Sequence, residues 1–257
     1  MLINAILGCE SMADVEDAIK YLSEHMHDPR SILVLEPLRW ALAIGPEWMA
    51  WEQVVTVRPI WDACAKVLAS KGYSVAVDVL NAEQYGVPQT RRRAILVARR
   101  SAEAKLPAPT HSRYHTRAPE RLDEGVSRWV SMAEALGWDL AQGDSTVRTS
   151  MGKPKVDGRN GSHQLDPAIR PSHTVTGKVG SFVLRSNYSA PGVKGMTAAE
   201  RGRMVTVREA GILQSFPADY PWQGNKTAQY QQVGDAVPPL MAQRIIEALL
   251  DDRQKEN

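Results

Sequence analysis

NAEQYGVPQTRRRAILVARR, residues 81–100, joins a turn, a basic motif and an apolar strand in one short stretch. Its Gly-Val-Pro at 86–88 is typical of a turn, and the apolar run 93–98 predicts a strand. Three polar residues at alternate positions form a Q-x-R-x-R motif where this strand begins: Gln89, Arg91 and Arg93. The sequence therefore sets two spaced arginines at the edge of a predicted sheet.

Upstream of this stretch, helices and strands alternate. The apolar run 48–54 predicts a buried strand with Glu52 near its carboxyl end, a helix follows over 59–72, and a further strand covers 73–80. Two earlier segments predict helices, one opened by a capping box and one interrupted by a proline: 11–26 and 33–44. The alternation predicts a mostly parallel sheet covered by helices, in which the last strand is free to be antiparallel. Ligands of such sheets bind beyond the carboxyl ends of the strands, where Glu52 falls.

Regularity weakens downstream, from residue 101 to about residue 196. Proline and glycine interrupt the pattern there, and only 130–138 predicts a helix. We interpret this region as a second, smaller and loop-rich unit. Beyond it, a capping box at Thr206 opens a helix to about Gln214, and 238–251 predicts an amphipathic C-terminal helix.

Composition limits the class of protein. With 257 residues, of which 43% are hydrophobic and 23% charged, the chain can form one large core and a smaller appendage. No apolar run approaches the roughly 18 residues of a membrane span, and the opening MLINAILGC lacks the basic start of a secretory signal. Two cysteines make no disulfide framework and fit a reducing compartment. We therefore expect a cytoplasmic protein with no membrane partner.

The formal net charge of +2 conceals an uneven distribution. Residues 1–60 carry four Lys or Arg against nine Asp or Glu, whereas residues 89–129 carry ten against four. The basic segment would attract phosphates and add a salt-sensitive contribution to nucleic-acid binding. A solvated basic surface without a partner is the alternative, because charge runs are common in proteins.

Four blocks of the sequence resemble motifs of the DNA cytosine-5 methyltransferases, in that family's order. WEQV at 51–54 resembles Glu-Asn-Val with glutamine in place of asparagine, and QTRRR at 89–93 resembles the motif that holds the target base. TVREAGILQSFPADY at 206–220 and QVGDAVPPLMA at 232–242 resemble the last two motifs, the second with aspartate in place of asparagine. RPSHTVTGK at 170–178 is similar to a segment near the target-recognition region. The chain looks like the C-terminal two-thirds of such an enzyme.

The resemblance implies a fold and a division of the chain. The expected fold class is α/β, an incomplete S-adenosylmethionine-dependent methyltransferase (Rossmann-like) sheet with a smaller loop-rich target-recognition domain. Residues 1–100 would form a partial catalytic domain and 101–200 the target-recognition region. Residues 201–257 would carry the C-terminal motifs and a helix returning to the catalytic domain.

The resemblance also implies a chemistry. Members of the family add a cysteine thiolate to C6 of cytosine, so that C5 can attack the sulfonium methyl of S-adenosylmethionine. Glu52 would hold the N3 and N4 edge of a base flipped out of duplex DNA, its burial favouring the protonated form. Arg91 and Arg93 would stabilise charge at O2. Further residues implied as base or DNA contacts are Gln89, Arg92, Thr176 and Arg208, and as cofactor contacts Asp235 and Ala236.

Each assignment has a structural alternative. Glu52 could be a carboxylate paired with a neighbouring arginine, and the arginines of the motif could form a solvated basic edge. Four tryptophans near the predicted strand are expected to be core residues rather than a base-stacking platform: Trp40, Trp48, Trp51 and Trp61.

The family's Phe-x-Gly-x-Gly cofactor loop and Pro-Cys-Gln nucleophile loop do not occur in the 51 residues before Glu52. Cys9 stands in the context Gly8-Cys9-Glu10, and a thiol without the motif's loop is more often inert, so the nucleophile stays unknown. Cys64 falls on the apolar face of a predicted helix, where we expect packing. The histidines at 25–27 and 111–115 complete no metal set, and we expect no metal site.

Three hypotheses follow. The first is a DNA cytosine-5 methyltransferase homologue that acts on duplex DNA with S-adenosylmethionine, together with an N-terminal segment or a separate chain that carries the absent motifs. The second is a catalytically inactive DNA-binding remnant that uses the basic segment. The third is an enzyme whose nucleophile is Cys9.

Overall fold

The structure is a computed structural model that describes residues 2–25, 29–142, 145–149, 164–177, 182–186 and 204–251. The chain divides into two compact units. Unit 1 contains Met1–Leu80, Arg92–Ala108 and Arg244–Asn257, and unit 2 contains Asn81–Arg91 and Pro109–Gln243. The boundary passes through the Q-x-R-x-R motif, between Arg91 and Arg92. The segments 81–91 and 204–243 thus pack with much of the predicted recognition region, whose assignment to target recognition stays a prediction.

Unit 1 is built on a three-stranded sheet in the order β1, β4, β2, with strands β1 (Trp48–Gln53), β2 (Ser74–Asn81) and β4 (Arg92–Arg99). The central strand β4 is the apolar run of the motif stretch, and its residues from Ala94 to Ala98 are at most 1% exposed. β1 runs antiparallel to β4, with Glu52 opposite Ile95. The predicted α/β class is confirmed, and the last strand, whose direction the sequence left open, is antiparallel to β1.

The helices of unit 1 begin and end where local chemistry predicts. They are α1 (Leu2–Leu7), α2 (Met12–His25), α3 (Glu36–Ile44) and α4 (Arg58–Ser70), with short 3-10 helices at Pro29–Leu35 and Val55–Val57. The capping box of α2 is present, because Asp14 N donates to Ser11 Oγ and Ser11 N donates to Asp14 Oδ2. Pro37 lies in the first turn of α3 and does not interrupt it, and Gly45, at φ 54°, ends this helix.

The core of unit 1 lies between α4 and the sheet. Trp61 is 2% exposed, and its indole Nε1 donates to Ala94 O at 3.3 Å, which ties helix α4 to the central strand. Cys64 and Leu68 follow on the same face of α4 and are fully buried. The predicted packing role of Cys64 is confirmed.

Strand β1 is not the buried strand predicted for 48–54, because it lies at the edge of the sheet and only Met49 of its six residues is buried. The expectation that all four tryptophans are core residues is likewise wrong. Trp48 is 47% exposed and Trp40, on α3, is 53% exposed. Among the described residues, β1 has a neighbouring strand on one side only. The apolar sequence of 48–54 could not predict this edge position.

Unit 2 contains small sheets and short helices. β3 (Gln89–Thr90) pairs in parallel with β7 (Ser172–His173), and β5 (Ser145–Thr149) lies antiparallel between β6 (Gln164–Leu165) and β8 (Phe182–Ser186). The helices are α5 (Met132–Leu136), α6 (Val207–Leu213) and α7 (Lys226–Asp235). Residues 150–163 and 187–203 of the predicted recognition region lie outside the described residues.

The helices of unit 2 meet in one hydrophobic cluster. Its buried members come from α5, α6, α7 and the segments before them: Met132, Leu165, Val175, Val205, Ala210, Leu213, Tyr230 and Val233. The capping box predicted at Thr206 is confirmed, and α5 has a second one at Ser131. Helix α7 was not predicted. A last helix, α8 (Pro239–Leu250), matches the predicted C-terminal helix.

None of the helices in the described ranges is long and apolar enough to cross a membrane.

Candidate functional site

Glu52 and Arg93 form an ion pair in unit 1, with Arg93 Nε 2.6 Å from Glu52 Oε1. The strand register explains the pair. Glu52 lies opposite Ile95, and residues two apart on a strand point to the same face, so Arg93 is the diagonal neighbour of Glu52 across the β1–β4 ladder. The structure thus brings together two of the three residues predicted as catalytic. It also contains the carboxylate–arginine pair that was the structural alternative.

Each side chain of this ion pair has one polar atom that bonds to no further described residue. The side chain of Glu52 is 27% exposed, and its Oε2 bonds to no other described residue. Arg93 uses Nε for the carboxylate and Nη1 for Arg92 O at 2.8 Å, and its Nη2 bonds to none of the described residues. The burial expected of Glu52 is only partial, since the side chain is half-buried. The pair therefore offers one free acceptor and one free donor.

Glu52 lines a cleft of about 690 Å³ within unit 1. The other walls come from the end of β1, the start of α4 and the segments before α3, and they include Trp51, Thr56, Ile60 and Leu33. Apolar walls with one carboxylate are a common composition for a small-molecule site. The cleft therefore has room for a planar heterocycle beside Glu52, and Arg93 is not among its lining residues.

Arg91, the third predicted catalytic residue, belongs to unit 2 and is only 1% exposed. Its Nη1 donates to Val175 O at 3.1 Å and its Nη2 donates to Gly234 O at 2.9 Å. A buried guanidinium held by two main-chain carbonyls joins the segment at 175 to helix α7. In this structure Arg91 holds protein backbone, and its position gives no support to a contact with a base.

Gln89 is fully buried beside Arg91, and its carboxamide also bonds to protein groups. Its Nε2 donates to Leu213 O at 3.1 Å and to Gln214 Oε1 at 2.8 Å, while its Oε1 accepts from Val175 N at 2.7 Å. Gln214 in turn donates to Val233 O at 2.7 Å. We call Gln89, Arg91 and Gln214 the buried polar cluster. The predicted DNA contact of Gln89 is not supported by this placement.

Two glycines allow the backbones around the buried polar cluster to approach each other closely. A Cβ at Gly234 would come within 2.0 Å of Gly177 N, and a Cβ at Gly177 would come within 2.7 Å of Gln231 Oε1. Only a residue without a side chain fits helix α7 against the segment 175–177. Residues 89–91 of the Q-x-R-x-R motif and the resemblance blocks at 170–178, 206–220 and 232–242 belong to unit 2, although Lys178 lies outside the described residues.

Three further residues were predicted to contact the base or the DNA: Arg92, Arg208 and Thr176. Arg92 and Arg208 are exposed, and Arg208 Nε donates to Ala218 O at 3.3 Å. Thr176 is half-buried between the pinned Val175 and Gly177. Arg92 belongs to unit 1, whereas Thr176 and Arg208 belong to unit 2, and the roles of these residues stay predictions.

The residues predicted to contact the cofactor lie at the end of α7. Asp235 is exposed and accepts from Gln231 Nε2 within the helix. Ala236 N donates to Gln232 O at 3.2 Å, and Ala236 O lies 3.4 Å from Gln214 Nε2. Both residues thus form hydrogen bonds within their own unit, and their contact with a cofactor stays a prediction.

Both cysteines of the sequence are buried. Cys9 Sγ donates to Ala5 O at 3.2 Å, burial raises the pKa of this thiol, and the negative charge of Asp14 raises it further. Burial raises the pKa of Cys64 to about 12. A nucleophile must be a thiolate, so neither sulfur is placed for covalent catalysis in this structure. No three His, Cys, Asp or Glu side chains are grouped as metal ligands in the described part of the chain.

Sequence reasoning missed Gln214 and the two close-packed glycines. The available signal for Gln214 was a polar side chain at the end of an apolar helix face, inside one of the resemblance blocks. No sequence signal marked Gly177 and Gly234, because one is a loop glycine and the other a helix glycine, and only the folded chain brings their backbones together.

Comparison with protein families identifies the family to which the chain belongs. The model of the C-5 cytosine-specific DNA methylases matches residues 22–251. Type II methyltransferase M1.HphI of Haemophilus parahaemolyticus is 31% identical over 240 residues, which cover 87% of this chain and 62% of that protein. Type II methyltransferase M.BbvI of Brevibacillus brevis is 28% identical over 70% of this chain and 49% of its own length. The chain spans about half to three-fifths of these relatives.

Solved structures show the same fold. The Dnmt2 methyltransferase of S. pombe superimposes with a TM-score of 0.55 at 20% identity, over 87% of this chain and 73% of that one. The Entamoeba histolytica methyltransferase EhMeth gives 0.56 at 16% identity, over 89% and 71%. The incomplete methyltransferase sheet predicted from the sequence is therefore confirmed, and the family match covers most of the chain. This protein is a member of the C-5 cytosine-specific DNA methylase family.

Proposed function

We propose that this chain is the part of a DNA cytosine-5 methyltransferase that holds the edge of the target cytosine and binds duplex DNA. The observation that supports this function best is the Glu52–Arg93 pair beside the cleft. S-adenosylmethionine, the cofactor that family membership implies, would supply the methyl group. Asp235 and Ala236 form hydrogen bonds with their own unit, so we route no step through a cofactor contact of this chain.

The free groups of the ion pair suit one edge of a flipped cytosine. Glu52 Oε2 can accept a hydrogen bond from the N4 amino group, or donate to N3 when it carries a proton. Arg93 Nη2 can donate to O2, where negative charge develops when a nucleophile adds to C6. Because Arg93 also fixes Oε1, the two side chains would hold each other in place before the base arrives. Arg91 has no such free face, and we propose a structural role for it.

The nucleophile would come from another polypeptide segment. The sequence has two cysteines, and both are buried thiols with raised pKa values. The Cys9 thiol donates a hydrogen bond to Ala5 O in α1, and this bond would have to break before the sulfur could attack a base. A separate chain, or a segment preceding this one, that carries Pro-Cys-Gln and a glycine-rich loop would complete the enzyme. The exposed edge of β1 is a site where a further strand could pair.

Reconstitution tests this function. The chain is mixed with a methyltransferase segment that carries the two motifs, and transfer of labelled methyl groups from S-adenosylmethionine to duplex DNA is measured. We expect transfer by the mixture, and a loss of about 100-fold or more in Glu52→Gln and in Arg93→Ala. Glu103→Gln, which alters an exposed carboxylate paired with Lys105, is the matched control and should retain activity. No transfer by any mixture would refute the enzymatic proposal.

A DNA-binding protein without activity is the second candidate, and the buried state of both cysteines favours it. In that case the chain binds duplex DNA in the absence of any partner. Glu52→Gln and Cys9→Ser then leave its affinity unchanged, while every mixture stays inactive. Loss of a measured methyl transfer in Cys9→Ser would instead revive Cys9 as the nucleophile.

A further inference from the structure

We propose that residues 109–129 of unit 2 form a preorganised loop that binds the phosphates of duplex DNA, and that Asp123 sets the shape of this loop. The inference rests on the proposed function, since it names a surface that would hold the same DNA. Asp123 is assigned as a positioning residue: it acts through the backbone that presents the arginines of the loop.

The two ends of the loop are fastened to each other and to the rest of unit 2. Thr110 N and His111 N both donate to Gln84 O, at 2.9 and 3.0 Å. Ser127 N donates to Thr110 O at 3.0 Å, and Ser112 N donates to Ser127 O at 2.7 Å. The chain between residues 112 and 127 therefore leaves and returns at one place, as in a closed surface loop.

Asp123 organises the interior of the loop. Its Oδ2 accepts from Arg113 N at 2.9 Å and its Oδ1 lies 2.8 Å from His115 Nε2, while its own N donates to Ser112 Oγ at 2.9 Å. The bond from Arg113 N lowers the pKa of Asp123, and His115 lowers it further. One carboxylate thus joins two parts of the loop that are ten residues apart.

Aromatic packing fixes the inner side of the loop. Tyr114 and Trp129 are 7% and 3% exposed, and their rings meet edge to face at a centroid distance of 5.1 Å. Trp129 Nε1 donates to Ile169 O at 2.9 Å. These two residues anchor both ends of the segment 114–129 inside unit 2, and most of the polar side chains between them are exposed.

The outer side of the loop is rich in arginines, of which Arg128 lies over the Trp129 ring at a distance of 5.3 Å. Four of them are exposed: Arg113, Arg117, Arg121 and Arg128. None has a carboxylate partner among the described residues, although Glu120 and Glu124 belong to the same loop. In unit 1, Arg92 and Arg100 are not paired with carboxylates, whereas the other four of the six exposed or half-buried arginines whose burial is described are so paired: Arg39, Arg58, Arg93 and Arg244.

Free guanidinium groups on a rigid support suit DNA phosphates. Each guanidinium offers several donors and a permanent charge, and each phosphate contact releases condensed counterions. A loop that is already ordered loses less conformational freedom on binding than a flexible one. The partner that fits this surface is the sugar–phosphate backbone, read without base specificity.

Salt dependence tests the arginines. The full chain is titrated with a fluorescent duplex at several salt concentrations, and the slope of log affinity against log salt is measured. Arg117→Gln and Arg121→Gln should each lower the slope by about 0.9, which is about 8-fold in affinity at 0.1 M salt if the 1 M affinity is unchanged. Unchanged slopes in both variants would overturn the phosphate assignment, as would a folded RNA that competes with the duplex at equal or higher affinity.

Asp123→Asn and Glu124→Gln form a matched pair, because each removes one negative charge from the loop. Electrostatics alone predicts slightly tighter DNA binding for both. If Asp123 positions the arginines, Glu124→Gln tightens binding whereas Asp123→Asn weakens it by about 5-fold or more, as several phosphate contacts are misaligned together. Amide hydrogen exchange within 109–129 should rise in Asp123→Asn alone, and exchange in α6 and α7 should stay unchanged.

The outcomes separate this inference from the function it rests on. If the wild-type chain binds DNA and Asp123→Asn behaves like Glu124→Gln, the positioning role is overturned and the DNA-binding function stands. If the wild-type chain binds no DNA at low salt, the proposed function fails together with this surface.

Discussion

Replacing Gln89 by leucine removes the centre of the buried polar cluster while keeping a side chain of similar size. Three partners then lose their hydrogen bonds in a buried environment: Leu213 O, Gln214 Oε1 and Val175 N. A buried polar group left unpaired costs about 1–3 kcal/mol, and partial relaxation lowers the sum, so we expect unit 2 to lose about 4 kcal/mol. A whole domain is stable by only about 5–15 kcal/mol.

Hydrogen exchange resolves this loss by position. The amide of Val175 donates to the Gln89 side chain, so it should exchange about a thousandfold faster in Gln89→Leu, which is about 4 kcal/mol expressed as an opening equilibrium. Urea unfolding should show the same shift in stability. Gln142→Leu is the matched control, because Gln142 is exposed and bonds to no described residue. If the two variants differ by less than about 0.5 kcal/mol, the cluster does not stabilise unit 2.

Three further predictions follow from the structure. Gly234→Ala should destabilise unit 2 by about 3 kcal/mol or more in urea unfolding, because its Cβ would fall 2.0 Å from Gly177 N, whereas Gly8→Ala, 3.6 Å from the nearest atom, should change little. Stability should fall as the pH rises from about 9 to 12, because burial raises the folded-state pKa of Cys64 to about 12 above an unfolded value of about 8.5. The loss should be smaller in Cys64→Ala, where Cys9, whose pKa burial also raises, still contributes. Breaking the Glu52–Arg93 pair with Glu52→Gln should cost only about 1 kcal/mol, since the carboxylate is 27% exposed, and a much larger loss in thermal unfolding would mean that the pair serves the fold rather than a substrate.

Local sequence signals predicted most of the secondary structure of unit 1. The apolar run from Arg93 to Ala98 forms the central strand β4. Capping boxes at Ser11 and, in unit 2, at Thr206 set helix starts through hydrogen bonds between residues three apart. The exposure of Trp48 could not be predicted in this way. It depends on which strands lie beside β1, and that is a property of the whole sheet.

The candidate site also contains residues whose contacts follow from local sequence and one residue whose contacts do not. Glu52 and Arg93 were predicted by resemblance, and the strand register explains why they meet. Arg91 was predicted to share their role because it stands two residues away in the same motif. Its guanidinium instead bonds to carbonyls 84 and 143 residues further along the chain, and no local pattern signals such distant partners.

The exposed edge of β1 has a consequence for handling the purified protein. Its backbone groups on the outer side, together with the exposed Trp48 and Ala50, form a template onto which an identical strand from a second molecule can add. Such growth is open-ended and increases with concentration, so cloudy samples and high-molecular-weight species are expected before any loss of helical signal. Trp48→Lys, at the exposed start of the strand, would repel an incoming copy and keep concentrated samples clear.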